Sequence, residues 1–255
     1  MQQPSSIVIT GASSGLGAAL ALHYAAPGVT LGLIGRNAER LEQFAGVCRK
    51  YGATVVTGLL DVADATALGQ WLEEFNANHP IDLCIANAGI SAGTGGGGET
   101  AEQVKRIFNI NVNGVINTLH PVMTLMRARG RGQLGIVSSI AGYRGSPTAP
   151  AYSASKAAVR IYGQGLRGFL SPFGVDVSVI CPGFIDTRMT KANGFPMPFI
   201  MKADRAARIV KQGLSKKKAV IAFPWPMVLM AHIQNLLPDA LMDRIYRGVP
   251  AKPSA

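Results

Sequence analysis

The run Ser6-Ile7-Val8-Ile9-Thr10 feeds directly into Gly11-Ala12-Ser13-Ser14-Gly15-Leu16-Gly17, after which Ala18-Ala19-Leu20 turns helical. This juncture constrains the chain more than any other. A β-branched run favours a strand, the glycines permit a sharp turn, and a helix opens behind it. Glycine lets the backbone approach a pyrophosphate closely, and the helix N-terminus aims free N–H groups and a positive dipole end at it. The spacing is Gly-x-x-x-Gly-x-Gly, not the general Gly-x-Gly-x-x-Gly. Gly11, Ser13, Ser14, Gly15, Leu16 and Gly17 are therefore expected to bind a dinucleotide. A glycine turn with no ligand is the competing reading.

A second strand, residues 29–34, ends at Gly35-Arg36-Asn37, where a dinucleotide site places its ribose-selecting residue. An acid there would accept from the 2′-hydroxyl of NAD and repel a 2′-phosphate. Here Arg36 stands instead, able to make charge-assisted bonds to that phosphate with Ser14 or Asn37 helping. NADP(H) is the expected cofactor, against an ordinary surface arginine. Helical patterns over 38–51 and 101–129 alternate with apolar strand-like runs at 54–60, 81–86 and 175–180. Such alternation predicts an α/β fold: three layers, doubly wound, with a mainly parallel sheet. Hydrophobic residues at 48% and charged residues at 15% suit strands covered on both faces. One domain over 1–255 accounts for the length.

The stretch Tyr152-Ser153-Ala154-Ser155-Lys156 puts a phenol and an ammonium one helical turn apart, hence on one face. A nearby cation favours the phenolate, which is expected to lower the Tyr152 pKa and make it a general acid/base. A solvated helix pair is the bland alternative. Upstream, the apolar run 135–139 ends in Ser138-Ser139, with Ser139 set to polarise a carbonyl beside Tyr152. Asn111-Val112-Asn113-Gly114-Val115 adds an amide.

In order and spacing, Asn111, Ser139, Tyr152 and Lys156 resemble the catalytic tetrad of the short-chain dehydrogenase/reductase family. The likeness runs to about Thr187 and implies a Rossmann fold. It also implies hydride transfer between nicotinamide and a carbonyl or secondary alcohol. Tyr152 would be the proton donor, Ser139 a hydrogen-bond donor to the carbonyl oxygen, Lys156 the holder of the nicotinamide ribose, and Asn111 the support of a water relay. Asn113 is a rival for the last role. The resemblance further implies that Asp61, followed by Val62, binds the adenine amino group, with a helix N-cap as its competing role. Asn87-Ala88-Gly89 would lie beside the adenosine ribose, and Pro182 and Gly183 near the nicotinamide. Ile185 would give backbone contacts, and Thr187 would contact carboxamide and phosphate.

Beyond Thr187 the sequence is less directive. A Met-, Phe- and Pro-rich stretch (Met189, Phe195, Met197, Phe199, Ile200, Met201) is expected within a substrate lid spanning about 188–210, favouring an apolar substrate. Tyr143 and Arg144 are expected at the mouth of the site, and Ser91 to Gly98 as a flexible surface loop. Lys216-Lys217-Lys218 precedes an apolar region whose residues 225–247 are expected to form extra helices. Packing on the lid or on another subunit is expected there, over rest on an anionic membrane surface. The three cysteines and four histidines show no ligand spacing, so no metal is expected. The net charge of +11 comes without aromatic-basic interleaving, which argues against nucleic acid. Met1-Gln2-Gln3-Pro4 opens no secretory signal, so a cytoplasmic enzyme is expected. A homodimer or homotetramer is the expected assembly. The rival functions are a non-catalytic NADP(H)-binding regulator and a membrane-surface reductase of a lipid-linked substrate.

Overall fold

The computed structural model describes residues 4–191, 196–247 and 252. Met1, Gln2, Gln3 and Phe195 lie outside the described residues. The chain alternates β1 (Ser6–Thr10), α1 (Gly15–Tyr24), β2 (Thr30–Gly35), α2 (Ala38–Lys50), β3 (Thr54–Leu59), α3 (Ala65–Asn78) and β4 (Leu83–Ala86). It continues through α4 (Ala101–Phe108), α5 (Gly114–Arg129), β5 (Gly132–Val137), α6 (Pro150–Leu170) and β6 (Val175–Pro182). The short β7 (Ile185–Asp186), α7 (Arg188–Lys191) and β8 (Met201–Lys202) lead to α8 (Ala203–Ser215), β9 (Val220–Phe223), α9 (Trp225–Leu236) and α10 (Asp239–Tyr246).

Seven strands form one sheet in the order β3-β2-β1-β4-β5-β6-β9, and every pairing in it is parallel. Strand side chains alternate between faces, and the apolar runs fill both. In β1, Ile7 and Ile9 join α1, α2 and α8 on one side, while Val8 joins α3, α5 and α6 on the other. All three are fully buried. Truncating any of them to alanine would cost roughly 1–4 kcal/mol. Gly32 and Gly58 interrupt β2 and β3 for a packing reason: a Cβ there would lie about 3 Å from the Trp71 indole. The doubly wound fold expected from the alternation is present. The chain winds outward from β1 to β3, then returns to place β4 beside β1, opening a crevice at the carboxyl ends of those strands.

Two departures from the sequence reading matter for the site. The helix expected over 101–129 is broken by a five-residue π-helical turn, Asn109–Asn113, which turns Asn111 inward and leaves Asn113 exposed. A π-turn inserts one extra residue per turn and so rotates the helix face. Residues 203–210 of the expected lid belong to α8, whose Ala206, Ala207 and Val210 pack in the core with Leu16 and Leu20 of α1. Met201, also expected in the lid, is 8% exposed in that same core and pairs with Ile185. Lys216 to Lys218 precede β9, and α9 and α10 follow it. Among the described residues no helix is long and apolar enough to cross a membrane.

Candidate active site

The glycine turn closes around a network that sequence reading did not anticipate. Gly11 and Gly15 have φ of +68° and +58°, left-handed values that disfavour any side chain. A Cβ on Gly17 would lie 2.4 Å from the Gly11 carbonyl oxygen, so Gly17 lets α1 press against its own turn. Thr10, 1% exposed, accepts from the backbone N–H groups of Asn87 and Ala88 through Oγ1 at 3.0 and 3.1 Å. The Asn87 amide in turn donates to the Thr10 carbonyl at 2.9 Å. The end of β4 is thereby tied to the end of β1. Ser14 is the N-cap of α1 but makes no side-chain capping bond, leaving the first N–H groups of that helix facing the crevice.

One cavity of about 880 Å³ runs from this turn across the carboxyl ends of the strands. Gly11, Ser13, Ser14, Gly15 and Leu16 line it, with Arg36, Asp61 and Val62 at one end. Asn87, Ala88, Gly89, Pro182, Gly183, Ile185 and Thr187 continue the wall to Ser139, Tyr152 and Lys156. Gly17 and Asn111 stand behind that wall. Thr187 lies against the turn: a Cβ on Gly15 would meet its Cγ2 at 3.1 Å.

At the adenosine end, Arg36 donates to Asp61 Oδ2 at 3.0 Å. Asp61 also accepts from the Ala63 N–H at 3.0 Å, while Asp64 caps α3. The N-cap role considered for Asp61 therefore falls to its neighbour. Asn37 spends its side chain capping α2, accepting from the Arg40 N–H at 2.9 Å. Arg40 itself was missed. It lines the cavity four residues beyond Arg36, and its Nε is buried without a partner among the described residues. Its place in an ordinary amphipathic helix gave no signal.

At the catalytic end, α6 presents Tyr152 and Lys156 on one face, with the Lys156 Nζ 5.9 Å from the Tyr152 ring centroid. Lys156 is 4% exposed and donates to the Val137 carbonyl at 3.0 Å. Ser138 donates to the Lys156 carbonyl at 2.7 Å, and a Cβ on Gly142 would lie 2.7 Å from the Lys156 carbonyl carbon. Both hold the α6 turn that aims the lysine. Ser139 Oγ accepts from the Ala141 N–H at 3.1 Å, donates to the Pro182 carbonyl at 3.4 Å and stands beside the Tyr152 phenol, whose pKa it draws down. Asn111 is fully buried; it accepts from the Ile90 N–H at 2.8 Å and donates to the Ile90 carbonyl at 2.9 Å and to Ser155 Oγ at 3.0 Å. A Cβ on Gly89 would meet Asn111 Oδ1 at 3.1 Å and Lys156 Nζ at 3.3 Å, so the amide and the ammonium converge. Asn113 instead donates to Asn109 at the surface.

The expected lowering of the Tyr152 pKa does not occur. Burial pushes the phenol above its ordinary value, and the Ser139 hydrogen bond offsets only part of this. Burial likewise lowers Lys156 to about 8, with Cys181 drawing it slightly back. Desolvation outweighs the attraction read from spacing. A phenol that keeps its proton at neutral pH is a proton donor.

The substrate end differs from the sequence reading. Arg144 lines the cavity and donates to the Gln234 carbonyl of α9 at 2.7 Å, but Tyr143 turns away, edge-on to His232 at 5.2 Å. Of the described residues of the expected lid, Arg188, Met189 and Thr190 at its start line the cavity, with Met189 their one apolar side chain; Phe199 and Ile200 are exposed. The apolar wall is completed by Phe184 and by Met227, Met230 and Ala231 of α9. The loop expected to be flexible is strapped down at its start. Ala92 and Gly93 are buried, and Gln103 Nε2 donates to the Gly93 carbonyl at 2.8 Å. The Thr94 N–H donates to Thr148 at 3.0 Å.

This combination of parallel sheet, glycine turn and Ser-Tyr-Lys wall defines a dinucleotide-dependent oxidoreductase of the short-chain type. A family model described as short chain dehydrogenase matches residues 5–195. The chain belongs to that family and binds NAD(P). It is 37% identical to an uncharacterized oxidoreductase of Myxococcus xanthus over 94% of this chain and 95% of that protein. A short-chain dehydrogenase of Sphingobium yanoikuyae, solved in complex with NADPH, superposes with a TM-score of 0.80 at 26% identity, covering 98% of each chain. A short chain dehydrogenase of Mycobacterium paratuberculosis bound to NAD has the same fold, with a TM-score of 0.76 at 23% identity over 85% of this chain and 94% of that one.

Proposed function

We propose that this protein is an NADP(H)-dependent carbonyl reductase, or alcohol dehydrogenase in reverse, acting on a substrate with an apolar body. The observation that carries the reading is the convergence of Ser139, Tyr152 and Lys156 on the same cavity that the glycine turn opens. The cavity suits a dinucleotide: its turn excludes side chains, the α1 N–H groups are uncapped, and the buried Arg40 Nε has no partner among the described residues. When bound, the nicotinamide supplies the hydride. Preference for the 2′-phosphate is supported by Arg36 and Arg40 at the adenosine end, where β2 ends without an acid.

In this reading Tyr152 gives its proton to the carbonyl oxygen as negative charge develops there, and the Ser139 hydroxyl donates a second hydrogen bond to that oxygen. Donors preset where charge appears are the effective form of electrostatic catalysis. Lys156 holds the nicotinamide ribose through the donors that Val137 leaves free. Asn111 fixes the Ile90 backbone and steadies a water beside the Lys156 ammonium, from which Tyr152 is reprotonated. Met189, Met227 and Met230 give the substrate body a soft apolar wall. Exposed Ile161 and Phe169 on α6 support assembly as a homodimer or homotetramer.

The test is NADPH consumption with ketones of increasing chain length, comparing wild type with Tyr152→Phe. Turnover should rise with apolar length and fall by roughly 10²–10⁴-fold in the variant, with NADPH binding retained. Equal turnover in the variant would remove Tyr152 as the acid.

A further inference from the structure

Lys252, more than a hundred residues from the loop after β4, is seated on it. Its carbonyl accepts from the Gly95 N–H at 2.9 Å. Its stem lies so close to Gly93 that a Cβ built there would be 2.4 Å from the Lys252 Cβ, which makes Gly93 a cradle for this side chain. The ammonium hydrogen-bonds Ser91 Oγ and lies 4.7 Å from the centroid of the Tyr152 ring. A cation over an aromatic face is held there electrostatically. Ser91, Tyr152 and Lys252 all line the catalytic cavity.

Among the described residues no carboxylate forms an ion pair with this ammonium. Glu99 is the acid that attracts it, yet Glu99 Oε2 accepts from the Ala151 N–H at 2.9 Å, and no ion pair joins it to Lys252 among the described residues. Burial lowers Lys252 to about 8, and Glu99 only draws it part of the way back. The cavity as a whole is electropositive. Arg36, Arg40, Arg144, Lys156, Arg188 and Lys252 line it, against the single lining carboxylate of Asp61, which Arg36 already occupies; Arg144 is in turn ion-paired with Asp239 of α10. The phosphates of a dinucleotide account for the cations near the glycine turn. They do not account for one held between Ser91 and the Tyr152 ring at the catalytic end.

We propose that Lys252 is a specificity-determining residue whose ammonium receives a carboxylate carried by the substrate, so that the preferred substrates are oxo acids with an apolar body. The inference rests on the carbonyl-reductase reading above. The reacting carbonyl meets Tyr152 and Ser139, its acidic arm reaches Lys252 and Ser91, and its apolar arm lies along the methionines of α7 and α9. The two arms are served by separate groups, Lys252 and the loop after β4 for one and the helices for the other.

The test compares 2-oxo, 3-oxo and 4-oxo carboxylates of medium chain length with their methyl esters, on wild type, Lys252→Met and Lys252→Arg. Methionine keeps the apolar stem on Gly93 and removes the charge. Wild type should favour at least one acid over its ester, and Lys252→Met should lower that acid-to-ester ratio of kcat/KM by roughly 10–100-fold, the scale of one charge-assisted hydrogen bond. Lys252→Arg should restore most of the ratio. A ratio unchanged by Lys252→Met overturns the proposal, as does a loss shared equally by acids and esters, which marks a packing role. Calorimetric binding of the same carboxylates decides the matter independently of turnover. Weaker binding to Lys252→Met supports the carboxylate site even if no ketone is reduced, an outcome that would sink the reductase reading alone. Equal binding to both proteins overturns it.

Discussion

Arg36 at the end of β2 and Asp61 beyond the end of β3 form an ion pair 3.0 Å long at the adenosine end of the cavity. Their side chains are 51% and 38% exposed, so the pair itself contributes about 0–1 kcal/mol. Such a weak contact is readily exchanged for a phosphate. It also holds the guanidinium over the cavity, sparing part of the entropy of ordering it on binding.

Arg36→Gln should therefore raise the Kd for NADPH by roughly 10–100-fold while changing the Kd for NADH less than about threefold. Glutamine is the cleaner replacement, since an acid would stand against Asp61. Arg40→Gln should act in the same direction. Fluorescence titration with both dinucleotides reads the ratio, and an unchanged ratio in both variants would overturn the NADP(H) preference.

Gly17→Ala should weaken both dinucleotides together. The new methyl would lie 2.4 Å from the Gly11 carbonyl oxygen and 2.5 Å from Asn87 Nδ2, neither a flexible side-chain tip. Either α1 withdraws from its turn or the Asn87 brace on Thr10 breaks. Loss of affinity by about tenfold or more for NADH and NADPH alike is expected, together with a lower Tm from overpacking. Intact binding would show that the turn tolerates a shift that its contacts argue against.

Asn111→Leu should destabilise the protein by about 2 kcal/mol, because the N–H and carbonyl of Ile90 both lose their partner. Asn113→Leu, at an exposed position, should change stability by less than about 0.5 kcal/mol. Urea unfolding of the two variants compares them directly, and equal effects would contradict the inward turn of Asn111.

What could be read from the sequence was what local spacing controls. The strand-turn-helix at Gly11 to Gly17 and the Tyr152/Lys156 pair each lie on one continuous element, so periodicity placed their side chains together before any tertiary contact was known. The doubly wound fold followed because strands covered on both faces are near-continuous apolar runs. Contacts between distant segments left no such trace. Nothing around Lys252 signals that it reaches the Tyr152 ring, and the methionines of α9 read as ordinary helix apolars. The lid was assigned to composition at 188–210, yet Met201 and Ala206 serve the core, because apolar content alone does not say which surface a residue will cover. The direction of the Tyr152 pKa was misjudged for a related reason: spacing gives the neighbouring charge but not the depth of burial.

That depth has a consequence for stability at Lys156. Its folded value is about 8 against an ordinary value of 10.5, with burial as the main cause. At pH 7 the lysine is protonated in both folded and unfolded chains, so the folded protein bears the full cost of a buried ammonium. Between pH 8 and 10.5 the unfolded chain binds the proton and the folded chain increasingly does not, so stability from this group rises with pH. Lys156→Met should thus unfold at higher urea than wild type at pH 7, by roughly 1–3 kcal/mol, in protein free of dinucleotide. The gap should narrow by pH 9.5. Lys252 titrates in the same window but is common to both proteins and cancels in the difference. Turnover should be lost in the variant at either pH. A variant less stable than wild type at pH 7 would mean that the Val137 hydrogen bond outweighs the desolvation of the charge, and that Lys156 helps hold the fold together as well as serving the site.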